Sequence, residues 1–269
     1  MKVYKYWRQE SEKAKIRRKD ETIEVEIKCF GGSNLSLEDA SAQAREKIAK
    51  VKRKIAGEDT IFEDYEVEIR EELLDTLNPD AVVTRNRYGA RVLNVQNLLI
   101  LDIDDPKLGF FDLFRKAGDP KTQIVTMVKK LAQKSVYASL GFRIYETQKG
   151  IRVIVQGRDF DPKDPRTRQM MKEFNCDPLY SLICAKPACY RARLTPKPSV
   201  MKIRGLKVKY PRDEQAESEL KNWLAGYEAQ SAGYAVCKFI EQLGASQPLN
   251  DVVRYHDQAS GAFQNFKLA

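Results

Sequence analysis

The chain is predicted to be α+β and built around a split βαβ sheet, on three observations. From Leu98 onward the signals run strand, helix, strand, strand, helix, strand. That order makes an antiparallel sheet with both helices on one face, an RRM-like arrangement. A strand-then-helix unit precedes it and two helical stretches follow it. The expected divisions are an N-terminal α/β module at 1–90, a sheet module with a basic segment at 91–212, and a C-terminal helical region at 213–269.

Met1 to Asp20 is a basic leader with Tyr4, Tyr6 and Trp7 near its start, read as an edge strand and a charged turn. It has neither the apolar core nor the small-residue cleavage site of a secretion signal. Ile23, Val25 and Ile27 alternate with Glu24, Glu26 and Lys28, the mark of a half-buried strand. Gly31-Gly32-Ser33-Asn34 then breaks the chain. Ser36 with Asp39 three residues on starts a helix, whose stripe of Ala44, Ile48, Val51 and Ile55 ends at Gly57. Tyr65 to Arg70 alternates again, Ala81 to Thr84 is a short apolar run, and Arg85-Asn86-Arg87-Tyr88-Gly89 is a polar turn.

Leu98 to Asp105 is the central strand signal. Five apolar residues in six positions, bounded by Pro106, read as a strand buried on both faces. A loop through Gly118-Asp119-Pro120 leads to a helix from Lys121 to Lys134, with Ile124, Val128 and Leu131 along one side. Phe142 to Thr147 and Ile151 to Val155, joined by Gln148-Lys149-Gly150, form a hairpin. Asp164 to Phe174 is the second helix and Tyr190 to Thr195 the fourth strand. Beyond Asp213 one helix carries Leu220, Trp223, Leu224 and Tyr227, and another carries Val236, Phe239, Ile240 and Leu243 before Gly244. The tail after Gln247 shows no clear pattern.

Composition narrows the class. With 269 residues, 32% of them charged, and a mean hydropathy of -0.53, the chain reads as a cytoplasmic globular protein with no membrane partner. Its five cysteines are scattered without a Cys-x-x-Cys pair, which argues for reduced packing residues rather than a zinc ribbon. The net charge of +9 is concentrated. Pro178 to Arg212 holds nine basic residues and no acidic one, so the rest of the chain nets to zero. Such a segment reads as an anion-binding face, and its interleaved Tyr190, Leu194, Ile203, Leu206, Val208 and Tyr210 favour ordered strands.

Three clusters carry chemistry on this scaffold. Asp102 and Asp104 share a strand face about 7 Å apart, where a divalent cation relieves their repulsion. The hairpin Lys149-Gly150-Ile151-Arg152 supplies a cation, a glycine at which a ligand can approach the backbone, and Arg152 on the same face. Asp177 precedes the basic segment, in which Arg191 and Arg193 share a strand face suited to gripping a polyphosphate. Arg85 and Arg87, just before the carboxylate strand, and Lys202, Arg204, Lys207 and Lys209 are the candidate contacts to a nucleic-acid strand. Carboxylates for metals and cations for a triphosphate are the requirements of nucleotidyl transfer.

The pattern resembles the archaeo-eukaryotic primase superfamily, probed at three motifs. Leu101-Asp102-Ile103-Asp104 is similar to its hydrophobic-Asp-x-Asp, Gly150-Ile151-Arg152 to its small-x-His, and Cys176-Asp177 to its hydrophobic-Asp. Arg191, Arg193 and Lys197 occupy the stretch similar to the family's phosphate-binding Arg-x-x-Arg-Leu-Pro-Gly-Ser. The likeness spans roughly Arg85 to Lys197. It implies catalytic and metal-binding roles for Asp102, Asp104 and Asp177, with Mg²⁺ or Mn²⁺ as cofactor. It implies nucleoside triphosphates and a single-stranded DNA or RNA template as partners, with Lys149, Gly150, Arg152, Arg191, Arg193 and Lys197 on the nucleotide. Arg152 departs from the pattern, standing where the family has histidine. Two alternatives accompany the primase reading: a primase-like binder without catalysis, and, more distantly, a metal-dependent phosphatase starting at Asp102-Ile103-Asp104.

Overall fold

The computed structural model describes residues 1–18, 21–57, 67–105 and 119–269. The chain is α+β. It opens with a hairpin, β1 (Tyr6–Arg18) and β2 (Glu21–Ser33), paired along its whole length from Tyr6 opposite Ser33 to Arg18 opposite Glu21. Helix α1 (Leu37–Ala56) lies on it, capped by Ser36 accepting from the Asp39 amide and closed by Gly57 at φ +76°. The glycines expected to break the chain instead sit inside β2. A Cβ on Gly31 would come within 2.0 Å of the Ala40 carbonyl oxygen, so the bare backbone there is what lets α1 press onto the strand.

Two four-stranded sheets follow. One has the order β3 (Glu72–Asn78), β4 (Ala81–Arg85), β5 (Arg91–Val95), β9 (Tyr190–Arg193). The other has the order β11 (Cys237–Gly244), β7 (Gly141–Thr147), β8 (Gly150–Gln156), β6 (Leu99–Asp104). Both are antiparallel throughout, unlike the parallel doubly wound sheet that the phosphatase reading needs. Four helices run between and after the strands: α2 (Pro120–Ala132), α3 (Pro165–Glu173), α4 (Pro178–Ala185) and α5 (Glu214–Ser231). Near the end come β10 (Tyr234–Ala235), α6 (Asp251–Ser260) and β12 (Lys267–Leu268), with β10 and β12 paired in parallel.

Alternation divides the second sheet into unlike faces. Leu99, Leu101 and Ile103 lie with Ile151, Val153, Val155, Phe142 and Ile144 in the apolar core beneath the helices. There Phe142 stacks on Phe174 at the end of α3, with ring centroids 5.6 Å apart. Each such fully buried side chain contributes about 1.5–3 kcal/mol. The opposite face carries Asp102 and Asp104 on β6, Arg152 on β8, and Arg143 and Tyr145 on β7, and α6 covers part of it.

Several expectations are corrected. Tyr190–Arg193 does not complete the sheet begun at Leu99; it pairs with β5, Val92 standing opposite Arg193. Residues 237–244 are a strand rather than a helix. The bulge between Phe239 and Glu241, where β11 pairs with β7, breaks the period of two. Its apolar residues therefore fall at helical spacing. A helix, α6, lies instead in the unassigned tail. The first sheet joins β3 and β4 to β5 and β9 across position 90, and β11 joins the second sheet from beyond position 212. The strands expected in the basic segment end at Arg193, and 196–212 follows an irregular path. β-propensity alone makes no strand. The strand expected at 65–70 is described only from Val67, with one bridge between Ile69 and Val3. The loop expected from Pro106 to Gly118 lies outside the described residues. Among the described residues, no helix is long and apolar enough to cross a membrane, and all five cysteines are free.

Candidate active site

Asp102 and Asp104 lie at the end of β6, and the backbone of Asp177 is hydrogen-bonded to it. Asp102 stands opposite Arg152 and Asp104 opposite Gly150 across the β6–β8 ladder. Asp177 caps α4 by accepting from the Leu179 amide at 2.9 Å. Its own amide donates to the Asp102 carbonyl at 2.9 Å, which ties the start of α4 to the end of β6. Burial, Asp102 and Asp177 together push the Asp104 carboxyl above its ordinary value, against the pull of Lys197 and Lys149. Five charged groups distant in sequence therefore share one field.

This field sets a pH dependence. Asp104 titrates higher folded than unfolded, so its contribution is fully present below the ordinary carboxyl value and is lost as pH rises through its folded value. Relative to Asp104→Asn, metal-free wild type is expected to lose thermal stability across that rise. On the expectation that these carboxylates hold a cation, added Mn²⁺ should close the gap. Identical melting-temperature profiles for the two proteins from pH 3.5 to 7 would refute the assignment.

Gly150 is required by the fold. A Cβ there would stand 2.1 Å from the Ile103 carbonyl oxygen, so glycine is required for β6 and β8 to approach. Lys149, exposed at the hairpin turn, accepts from the Asp105 amide through its carbonyl at 2.8 Å. Its ammonium is one of the cations acting on Asp104.

Arg152 is only 4% exposed. Among the described residues it forms no ion pair with its cross-strand partner Asp102. Its Nη1 donates to the Arg193 carbonyl and approaches His256 Nε2, both at 3.1 Å, and its Nε has no partner. Arg193 Nη1 is likewise buried without a partner. Burial first, then the neighbouring Arg152, pushes the Arg193 guanidinium down to about 10. Lys197 is lowered chiefly by Arg193, then by burial and Lys149, with Asp102 and Asp104 opposing. Arg152 and Arg193 thus have unmet donors near carboxylates that repel one another.

The remaining candidates lie elsewhere or are already paired. Arg191 is closed in an ion pair with Glu71 at 2.6 Å, and Arg85 is paired with Glu72 at 3.0 Å. Arg87, Lys202, Arg204, Lys207 and Lys209 are exposed along the turn and the irregular basic segment.

Sequence reasoning missed the support behind Arg152. Asp257 on α6 accepts from Arg143 Nη2 and from the Tyr145 hydroxyl, both at 2.6 Å, and His256 Nδ1 lies 3.0 Å from it. Arginine can only donate, so His256 Nε2 accepts from Arg152 and Nδ1–H donates to Asp257. The available signal was a single histidine beside an aspartate, on a segment with no evident periodicity.

Among the described residues, no three His, Cys, Asp or Glu side chains form a ready ligand set for a metal. Mg²⁺ needs none, because one or two carboxylates suffice when water and substrate phosphates supply its other positions. The donor set of Asp102, Asp104 and Asp177 is all hard oxygen and fits that chemistry. Comparison of the chain with family models, with curated proteins and with solved structures finds no match.

Proposed function

We propose that this protein is a primase-like nucleotidyltransferase, using a divalent metal and nucleoside triphosphates to make or extend a strand on a single-stranded DNA or RNA template. One observation carries the reading: the buried Arg152 and the half-buried Arg193 against it, each with an unmet donor, beside carboxylates of which Asp104 is lifted by burial and by the charges of Asp102 and Asp177. An anion bound to a cation answers both deficits at once, and a metal-chelated triphosphate is such a ligand. The order β7, β8, β6 with α2 between β6 and β7 supports the RRM-like comparison for three of its strands.

In this reading Asp102, Asp104 and Asp177 hold the cation, while Arg152, Arg193, Lys197 and Lys149 hold the phosphates. The metal, Mg²⁺ or Mn²⁺, would activate the attacking hydroxyl and neutralise the leaving pyrophosphate. The hydroxyl oxygen bonds to the α-phosphorus as the bond to the β-phosphate oxygen breaks. Arg152 is fixed by His256 and the Arg193 carbonyl, so it meets the phosphates without reorganising.

A second reading rests on Arg152 itself. It stands where the resembled family has histidine and is held by α6, which suits a nucleotide binder without synthesis. Titration of Mn²⁺ and labelled triphosphate, alone and with a single-stranded template, separates the two. Metal-dependent binding with incorporation supports the first reading, and binding without incorporation supports the second. No metal-dependent binding rejects both.

The arginines give a sharper expectation. Arg193→Ala should weaken triphosphate binding by about 1.5–3 kcal/mol, the scale of a hydrogen bond between charged groups. Arg191→Ala should leave triphosphate affinity unchanged and instead lower stability, because it strands Glu71. Isothermal titration and urea unfolding of both variants check this, and equal losses of triphosphate affinity would refute the partition.

A further inference from the structure

We infer that Tyr88 is a stacking platform for an unpaired base of a single strand that runs along the basic segment toward the carboxylates. The inference rests on the nucleotidyl-transfer reading and deepens it, since it names how the strand is held.

The ring is 50% exposed at the tip of the turn joining β4 and β5. An exposed tyrosine on a loose loop would mean little, but this turn is locked. Asn86 Oδ1 accepts from the amides of Tyr88 and Ala90 at 3.0 and 3.1 Å. Gly89, at φ +91°, lies flush on an indole: a Cβ there would stand 2.3 Å from the Trp223 ring. Trp223 in turn stacks on Tyr227, with centroids 4.7 Å apart and planes 16° from parallel.

The same two aromatics join the turn to the rest of the surface. Trp223 Nε1 donates to the Arg204 carbonyl at 2.7 Å, so the indole that packs on the turn at Gly89 also holds the basic segment that carries Lys202, Arg204, Lys207 and Lys209. The Tyr227 hydroxyl donates to the Pro196 carbonyl at 2.7 Å, one residue from Lys197 of the site. Arg85 is neutralised by Glu72, whereas Arg87 is exposed and holds its guanidinium 4.7 Å from the Tyr88 ring centroid. A preorganised, exposed aromatic flanked by an arginine and a lysine-rich track is how proteins grip single strands without reading sequence, stacking for the base and cations for the phosphates.

The test compares wild type, Tyr88→Ala and Tyr88→Phe for binding of fluorescein-labelled 20-mers by anisotropy. Single-stranded DNA, single-stranded RNA and duplex DNA form parallel arms, with Mn²⁺-triphosphate affinity measured alongside. Tyr88→Ala should weaken single-strand binding roughly 5- to 150-fold, the effect of losing one stacked base. Tyr88→Phe, which keeps the ring and gives up only the hydroxyl that accepts from Arg87, should stay within about twofold of wild type, and triphosphate affinity should not move. Moving a single abasic position along the oligomer should then find one place that weakens wild type but not Tyr88→Ala. Absence of single-strand binding by wild type, equal affinities for wild type and Tyr88→Ala, or an equal loss on duplex DNA would overturn the inference. Tyr88-dependent strand binding by a protein that binds no metal-triphosphate would uphold it and reject the nucleotidyl-transfer reading instead.

Discussion

Asp104→Asn is expected to abolish divalent-dependent triphosphate binding and any nucleotide incorporation while leaving the fold as stable as wild type or more so. The carboxyl is lifted by burial and by the charges of Asp102 and Asp177, so its ionised form is held against local opposition. Asparagine keeps the shape and removes that cost. A cation at such a site supplies several kcal/mol of transition-state stabilisation, so incorporation should fall about a thousandfold or more. Asp102 makes a less clean test, because its charge also supports Arg193 and Lys197. Calorimetry with Mn²⁺ and thermal unfolding decide the matter together. Metal affinity within twofold of wild type in a folded Asp104→Asn protein would remove Asp104 from the site.

The largest effect on stability is expected from Asp257→Ala, at about 3–5 kcal/mol, the usual consequence of removing one partner of a buried ion pair. Arg143 and Asp257 are 2.6 Å apart with side chains 8% and 5% exposed, and Tyr145 and His256 share the same carboxylate. The substitution leaves Arg143 Nη2 and the Tyr145 hydroxyl proton, both buried, without their acceptor. Burial opposes the ionised carboxylate, but its donors outweigh it and hold Asp257 below its ordinary value. Its stabilising contribution is therefore complete above the ordinary carboxyl range and is lost as pH falls through the folded value. The deficit of Asp257→Ala in urea unfolding should accordingly narrow in acid. A cost under about 1 kcal/mol at pH 7 would contradict the network. Because His256 fixes Arg152, triphosphate affinity should fall in the same variant under conditions where it remains folded.

Local structure was legible wherever one element met one simple environment. The Ser36 cap, the stripe Ala44–Ile48 and the Gly57 stop describe α1 closely, since each acts within a few residues. The hairpin at Gln148–Gly150 and the strand ending in Asp102 and Asp104 were equally readable. Signals failed where a neighbour decided the outcome. The β-bulge in β11 turned strand spacing into apparent helical spacing. Gly31 and Gly150 read as a chain break and a ligand approach, when each admits another backbone.

The sequence by itself determined which residues could do chemistry: the Asp-x-Asp at the end of a buried strand, the hydrophobic-Asp, and the cations that follow, because residue type and strand alternation are local properties. Only the tertiary structure decided which of them lie together. Pairing β9 with β5 sets Arg193 against Arg152 while Glu71 takes Arg191. Folding α6 onto the polar sheet face recruits His256 and Asp257 from a segment with no readable pattern. Electrostatic fields and unmet hydrogen bonds depend on distances through space and on burial, and neither is carried by spacing along the chain.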